Sequence, residues 1–162
     1  MSKNLIVGDV KQELAGTRRL LEKVPDEHLA WKPHEKSFTL GELATHLVST
    51  LSWQAAILSE PEFDLATVPP RRQALASRAA MLEEFDGSAG RIDQALAAID
   101  EDGLAAEWTL RRGDQIRAHQ PRALALRAFG ISHMVHHRAQ LGVYLRLLNV
   151  PLPALYGPTA DE

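Results

Sequence analysis

Apolar residues recur along this chain at helical rather than strand spacing, in long stretches separated by proline-rich or polar segments. The first stretch runs from about Asn4 to Lys23. Leu5, Val10, Leu14, Thr17, Leu20 and Leu21 repeat along one side, with Lys11, Glu13, Arg18 and Arg19 largely on the other. Val24-Pro25-Asp26 ends it, because proline lacks an amide donor and disfavours helix in the residue before it. Pro25 to Ser37 reads as a connecting loop around Trp31-Lys32-Pro33, and its His28 and His34, among polar neighbours, read as solvated.

The second stretch has the clearest start signal. Thr39-Leu40-Gly41-Glu42 fits a capping box, with Phe38 and Leu43 placed for a hydrophobic staple. The helix reads to about Ser59 and is stopped by Pro61; Glu42, Leu43, His46, Ser49, Thr50, Trp53 and Ile57 share one face. Glu60 to Pro70 is a proline-rich surface connection. A third helix is predicted over Arg72 to Ile99, with Leu75, Ala79, Leu82, Phe85, Ile92, Leu96 and Ile99 inward and a weak point or bend at Gly87-Ser88-Ala89-Gly90. From Asp100 to Gln120 the helical pattern lapses. Trp108-Thr109-Leu110-Arg111 looks extended and Gly113-Asp114 looks like a turn, which suits a short hairpin or an ordered loop. The fourth and longest helix is predicted over Pro121 to Asn149, and the proline-rich tail beyond it is non-helical.

Composition agrees with helices: 45% hydrophobic, 6% aromatic, many Ala and Leu, few β-branched runs. A length of 162 residues suits one domain, 1–162, with a substantial core. A net charge of −3 gives no global basic field and argues against nucleic acid as the main partner. The one locally basic stretch holds Arg111, Arg112, Arg117, His119 and Arg122, which reads either as a solvated loop or as an anchor for an anionic group of a ligand. The chain has no cysteine, so any thiol chemistry needs a thiol brought by the substrate. The opening residues do not resemble a signal peptide and no run reaches membrane-spanning length; a cytoplasmic location with no membrane partner is expected.

The candidate chemistry lies in the fourth helix. At ~100° per residue, His133 and His137 stack one turn apart. Leu126, Phe129, Gly130, Gln140, Tyr144, Leu147 and Leu148 fall within about 60° of His133, while Arg127, Arg138, Arg146 and Asn149 take the opposite arc. Such a pair is either two core histidines hydrogen-bonded to neighbours or two ligands for one metal ion. The glutamate of the metalloprotease motif is missing, and Met134 stands in its place. His46 lies in an apolar stripe of the second helix, with the same two readings. If those faces meet, His46, His133 and His137 converge as an open set of neutral nitrogen ligands, which suits catalytic rather than structural metal. Zinc, nickel and iron all accept such ligands. Trp53 and Tyr144 share the faces and would line a substrate site; Glu42, one turn from His46, is already explained by capping.

Taken together, Glu-Leu-Ala-Thr-His46-Leu-Val, the block from His133 to Leu141, and the ending Leu-Tyr-Gly-Pro-Thr-Ala-Asp-Glu resemble the DinB family over nearly the whole chain. The resemblance implies an all-α, antiparallel four-helix bundle with long connections, often a homodimer. It also implies a three-histidine divalent-metal site at His46, His133 and His137, with zinc or nickel the expected ions. In the family pattern His136 is not a ligand; it is the runner-up here because it lies near the edge of the same arc. Ala139 stands where relatives commonly have glycine, with no consequence for the metal. The wider superfamily includes transferases and an isomerase that use bacillithiol, mycothiol or glutathione. The resemblance therefore implies a metal-dependent, thiol-transferase-like enzyme acting on a small molecule. Metal-assisted hydrolysis with Glu42 as base and a non-catalytic metal-binding or stress-related role are the alternatives.

Overall fold

A computed structural model describes residues 2–68 and 73–161. The chain forms α1 (Lys3–Leu21), a 3-10 turn, α2 (Leu40–Ser59), β1 (Glu62–Asp64), a second 3-10 turn, α3 (Arg78–Ala98) and α4 (Glu101–Ala105). It continues through β2 (Glu107–Arg112), β3 (Gln115–Pro121), α5 (Arg122–Ala125), a π-helical segment (Leu126–Ser132) and α6 (His133–Leu147).

Helix α2 is the centre of the packing, in contact with α3, α6 and the π-helical segment. It starts as its sequence requires: the Thr39 hydroxyl accepts from Glu42 N at 3.1 Å while Glu42 Oε2 accepts from Thr39 N at 2.8 Å. That reciprocal cap satisfies two orphan donors and contributes about 1 kcal/mol. Leu43, Leu47 and Leu51 are then buried along one side, each adding about 1.5–3 kcal/mol by leaving water.

Helix α3 begins later than its periodicity predicts. Ser77 caps it, its hydroxyl accepting from Ala80 N, and Arg72 lies outside the described residues, as do Pro69, Pro70 and Arg71. Phe85, Ile92 and Leu96 are buried as expected; Met81 and Ser88 join them, whereas Ala79 is exposed. The glycines of this helix leave it a single element.

The expectation of a purely α-helical bundle needs correction. The fold is mostly helical but includes a three-stranded sheet of order β1-β2-β3. β2 and β3 form the hairpin suggested by Trp108 to Asp114, turning through Gly113 at φ +56°, which a side chain rarely adopts. β1 falls in a stretch expected to be plain connection. It pairs parallel to β2 because Glu62 and Asp64 both grip Arg111, at 2.7 and 2.5 Å, while Phe63 between them packs on Trp53.

The helical pattern also misplaces one ion pair. Glu13 and Arg138 were expected on outward arcs, yet both are buried where α1 meets α6. Arg138 Nη2 donates to Glu13 Oε2 at 2.6 Å and to the Tyr156 hydroxyl, Nη1 donates to the Glu13 carbonyl at 3.1 Å, and Tyr156 donates to Glu13 Oε2 at 2.7 Å. Charges that satisfy one another are tolerated inside, and amphipathic periodicity cannot see the pairing.

Candidate metal centre

His46 projects from α2 and His133 and His137 from the start of α6, so the site sits where these two helices pack. The π-helical segment immediately precedes His133. Each π turn takes up more residues than an α turn, which shifts the phase of α6 against everything upstream. In α6 the fully buried stripe is Met134, Arg138, Leu141 and Leu145, while His133, His137 and Tyr144 are half-buried beside it. The histidines therefore line the edge of the core rather than its middle. Gln140 and Leu147, expected on the same inward arc, are exposed.

His46 Nε2 lies 3.0 Å from His137 Nε2, which lies 2.9 Å from His133 Nε2. All three ligand atoms fall within 4.8 Å of one another. The outer nitrogens explain this arrangement. His137 Nδ1 is 2.8 Å from Gln140 Oε1, an oxygen that only accepts, so the ring proton sits on Nδ1 and Nε2 presents a lone pair. The His133 ring donates to the Phe129 backbone carbonyl, leaving its Nε2 a lone pair as well. Two lone pairs thus face each other at 2.9 Å with no proton between them.

Protons are poorly suited to fill that gap. Burial, then the neighbouring imidazoles, push His46 down to about 4. Burial is also the main cause lowering His133 and His137; the Gln140 hydrogen bond opposes it at His137, and the His136 ring lowers both. A divalent metal fits better. Nitrogens about 2.0–2.1 Å from one ion at angles of ~90–110° stand roughly 2.9–3.4 Å apart, and the observed 2.9 and 3.0 Å separations lie in that range. Gln140 and the Phe129 carbonyl are then the outer partners that fix ring tautomer and orientation.

Around the imidazoles stand aromatic rings: Trp53 with its centroid 5.6 Å from His133, and Phe38 5.8 Å from His46. Phe63, on β1, backs Trp53 at 5.1 Å. Tyr144 stands one step further out. Its hydroxyl donates to the Phe38 carbonyl at 3.3 Å and its ring meets Trp31 edge-on at 5.7 Å, so it steadies the loop that carries Phe38. Gln140, Phe38 and Phe63 had no assigned role at the site from sequence. For Gln140 the signal was present as the i, i+3 spacing from His137.

The remaining histidines are elsewhere. His136 is exposed and outside the cluster, with its ring centroid 4.9 Å from that of His137. His34 Nδ1 accepts from Lys36 N, and His119 pairs with Thr109 and Glu107. Within the basic stretch, Arg111 is held by Glu62 and Asp64, and Arg122 donates to the carbonyls of Ile57, Glu60 and Gly103. Arg111 thus ties β1 to β2 within the sheet, and Arg122 ties the start of α5 to α4 and the end of α2. No helix among the described residues is long and apolar enough to cross a membrane.

Comparisons with known proteins agree with this fold. The chain is 26% identical over 150 residues to the uncharacterized protein YrdA of Bacillus subtilis (strain 168), covering 93% of this chain and 85% of that one. Its fold matches a DinB-like protein from Bacillus cereus ATCC 10987, with TM-score 0.73 and 20% identity over 93% of this chain and 95% of the other. It also matches the DinB-like protein YjoA of Bacillus subtilis, with TM-score 0.72 and 20% identity over 96% and 99% of the two chains. The family model of the DinB superfamily matches residues 10–141, from within α1 to beyond the paired histidines of α6, and the chain belongs to that superfamily.

Proposed function

We propose that this protein is a metal-dependent enzyme of the thiol-transferase type, in which His46, His133 and His137 hold a divalent transition metal, zinc or nickel. The observation that carries the reading is the set of facing Nε2 lone pairs, oriented from outside by Gln140 and Phe129 and joined by no carboxylate among the described residues. Three neutral protein ligands leave open positions for a reactant. Bound there, the metal supplies Lewis acidity that favours the ionised form of a substrate thiol.

The chain's own residues define the rest. With no cysteine present, no protein thiol competes with a low-molecular-weight thiol for the site. Trp53 and Phe38 form apolar walls beside His133 and His46 that exclude water and accept the non-polar part of a small substrate. Tyr144 keeps the Phe38 wall in place. The hydrolytic alternative needs a general base, and Glu42 spends Oε2 on the cap of α2, which favours the thiol reading. We further propose that the protein works as a homodimer; light scattering that finds only monomers at micromolar concentration removes that part.

Cobalt-substituted protein tests the thiol reading. Adding glutathione, bacillithiol or mycothiol is expected to produce sulfur-to-metal charge-transfer absorption, and His46→Ala abolishes it by losing the metal. No spectral change with any of the three sinks the thiol reading. In that event, lost turnover with retained metal in Glu42→Gln would support hydrolysis.

A further inference from the structure

The face of α6 turned away from the histidines borders an open apolar groove of about 490 Å³, lined on the helix by Ala139, Gly142 and Val143. Leu20 of α1 and Leu152 and Leu155 of the C-terminal tail wall it. We infer that this groove is a second binding site, for a small uncharged apolar molecule held between α6 and the tail. It is separate from the metal centre: His133 and Gly142 lie half a turn apart on the helix at ~100° per residue.

Size, lining and charge each point to that occupant. The volume lies in the range of small-molecule sites, about 300–1,000 Å³. The walls are almost entirely carbon. The two guanidinium groups beside the groove are already compensated, Arg138 by Glu13 and Arg146 by Asp161 at 2.5 Å. A charged ligand would find no uncompensated partner there.

The tail is fastened without help from a ligand. Leu152 N donates to Asp161 Oδ2 at 2.9 Å, the Thr159 hydroxyl donates to the Leu152 carbonyl at 3.1 Å, and Tyr156 is tied to Arg138 and Glu13. The hollow is thus pre-formed, which limits the ordering cost of binding. A second copy of the chain is the competing occupant. A two-fold contact is isologous, so one centred on this face sets hollow against hollow and leaves the volume unfilled. Yet Val143, Leu147 and Tyr156 still expose apolar surface at its rim, 60%, 56% and 67% accessible.

Gly142 supplies the test. A Cβ built there meets nothing within 4 Å, so a larger side chain enters open space, and leucine is a better helix former than glycine. Metal-loaded, full-length protein is titrated with the neutral fluorophore N-phenyl-1-naphthylamine, following emission, with light scattering and thermal unfolding in parallel. Saturable binding of one probe per chain is expected, at least tenfold weaker in Gly142→Leu and in Val143→Glu, which places a charge at the exposed rim. Chelating the metal should leave the probe's affinity within twofold. Three results overturn the inference: no saturable binding to the unmodified protein, unchanged affinity in both folded variants, or a change of oligomeric mass in either variant, which assigns the face to a second copy.

Discussion

Helix α6 carries polar clusters on two sides, and they are built on opposite plans. On the α1 side, Arg138 is 2% exposed and its guanidinium meets the Glu13 carboxylate, the Glu13 carbonyl and the Tyr156 hydroxyl. That cluster closes on itself. On the α2 side, three imidazoles aim nitrogen at nitrogen, with their protons directed outward at His133 and His137 and their charged forms disfavoured. Buried polar groups are normally satisfied. The α1-side cluster therefore does structural work, and the α2-side cluster could hold a metal ion.

The contrast is broken or sharpened by changing one side at a time. His133→Ala should reduce bound metal from about one ion per chain to near zero by elemental analysis, while the metal-free protein stays within about 1 kcal/mol of the parent. His136→Ala should keep its metal. If His133→Ala unfolds the metal-free protein, the histidines are structural and the contrast fails. Arg138→Ala should do the opposite, destabilising by about 3–5 kcal/mol in urea because the buried Glu13 carboxylate loses its cation, with metal stoichiometry kept in the folded fraction. Replacing both partners, Glu13→Leu with Arg138→Met, should recover most of the loss.

Gln140→Leu is expected to weaken metal affinity about 10–100-fold in a chelator competition, since only the orientation of His137 is lost. The smallest effect is that of pH on the metal-free protein. His46 titrates near 4 when folded and near 6.5 when unfolded, so between those values the unfolded chain binds more protons. Stability is complete above about 6.5 and falls as pH drops towards 4. The loss at His46 is about 1 kcal/mol once solvent screening of a half-buried group is allowed for. His46→Ala should flatten that part of the profile in denaturant titrations.

The sequence revealed what local rules control. The Thr39–Glu42 cap, the helical stretches, the hairpin around Gly113 and the phase that sets His133 over His137 all depend on neighbours within a few residues. The convergence of His46 on that pair was readable only by joining two helix faces to the family likeness. What escaped were partnerships between distant residues. Glu13 with Arg138 reads as two solvated charges until α1 and α6 are brought together. Glu62, Phe63 and Asp64 read as loop until Arg111 and Trp53 meet them. Burial on α6 was partly misassigned because the inward face was centred on His133, whereas that residue lies beside the buried stripe of Met134, Arg138, Leu141 and Leu145.

The π-helical segment before α6 also has a meaning for inheritance. Between Leu126 and Ser132 the winding is wider than α, so seven residues occupy the path that fewer α-wound residues would describe. A chain lacking one residue there could wind the stretch as α, at ~100° per residue, and still direct the pair towards α2, whereas losing a residue from a purely α stretch would turn the pair about 100° away. The wider winding thus takes up an extra residue before His133 while the histidines stay on the face that meets α2.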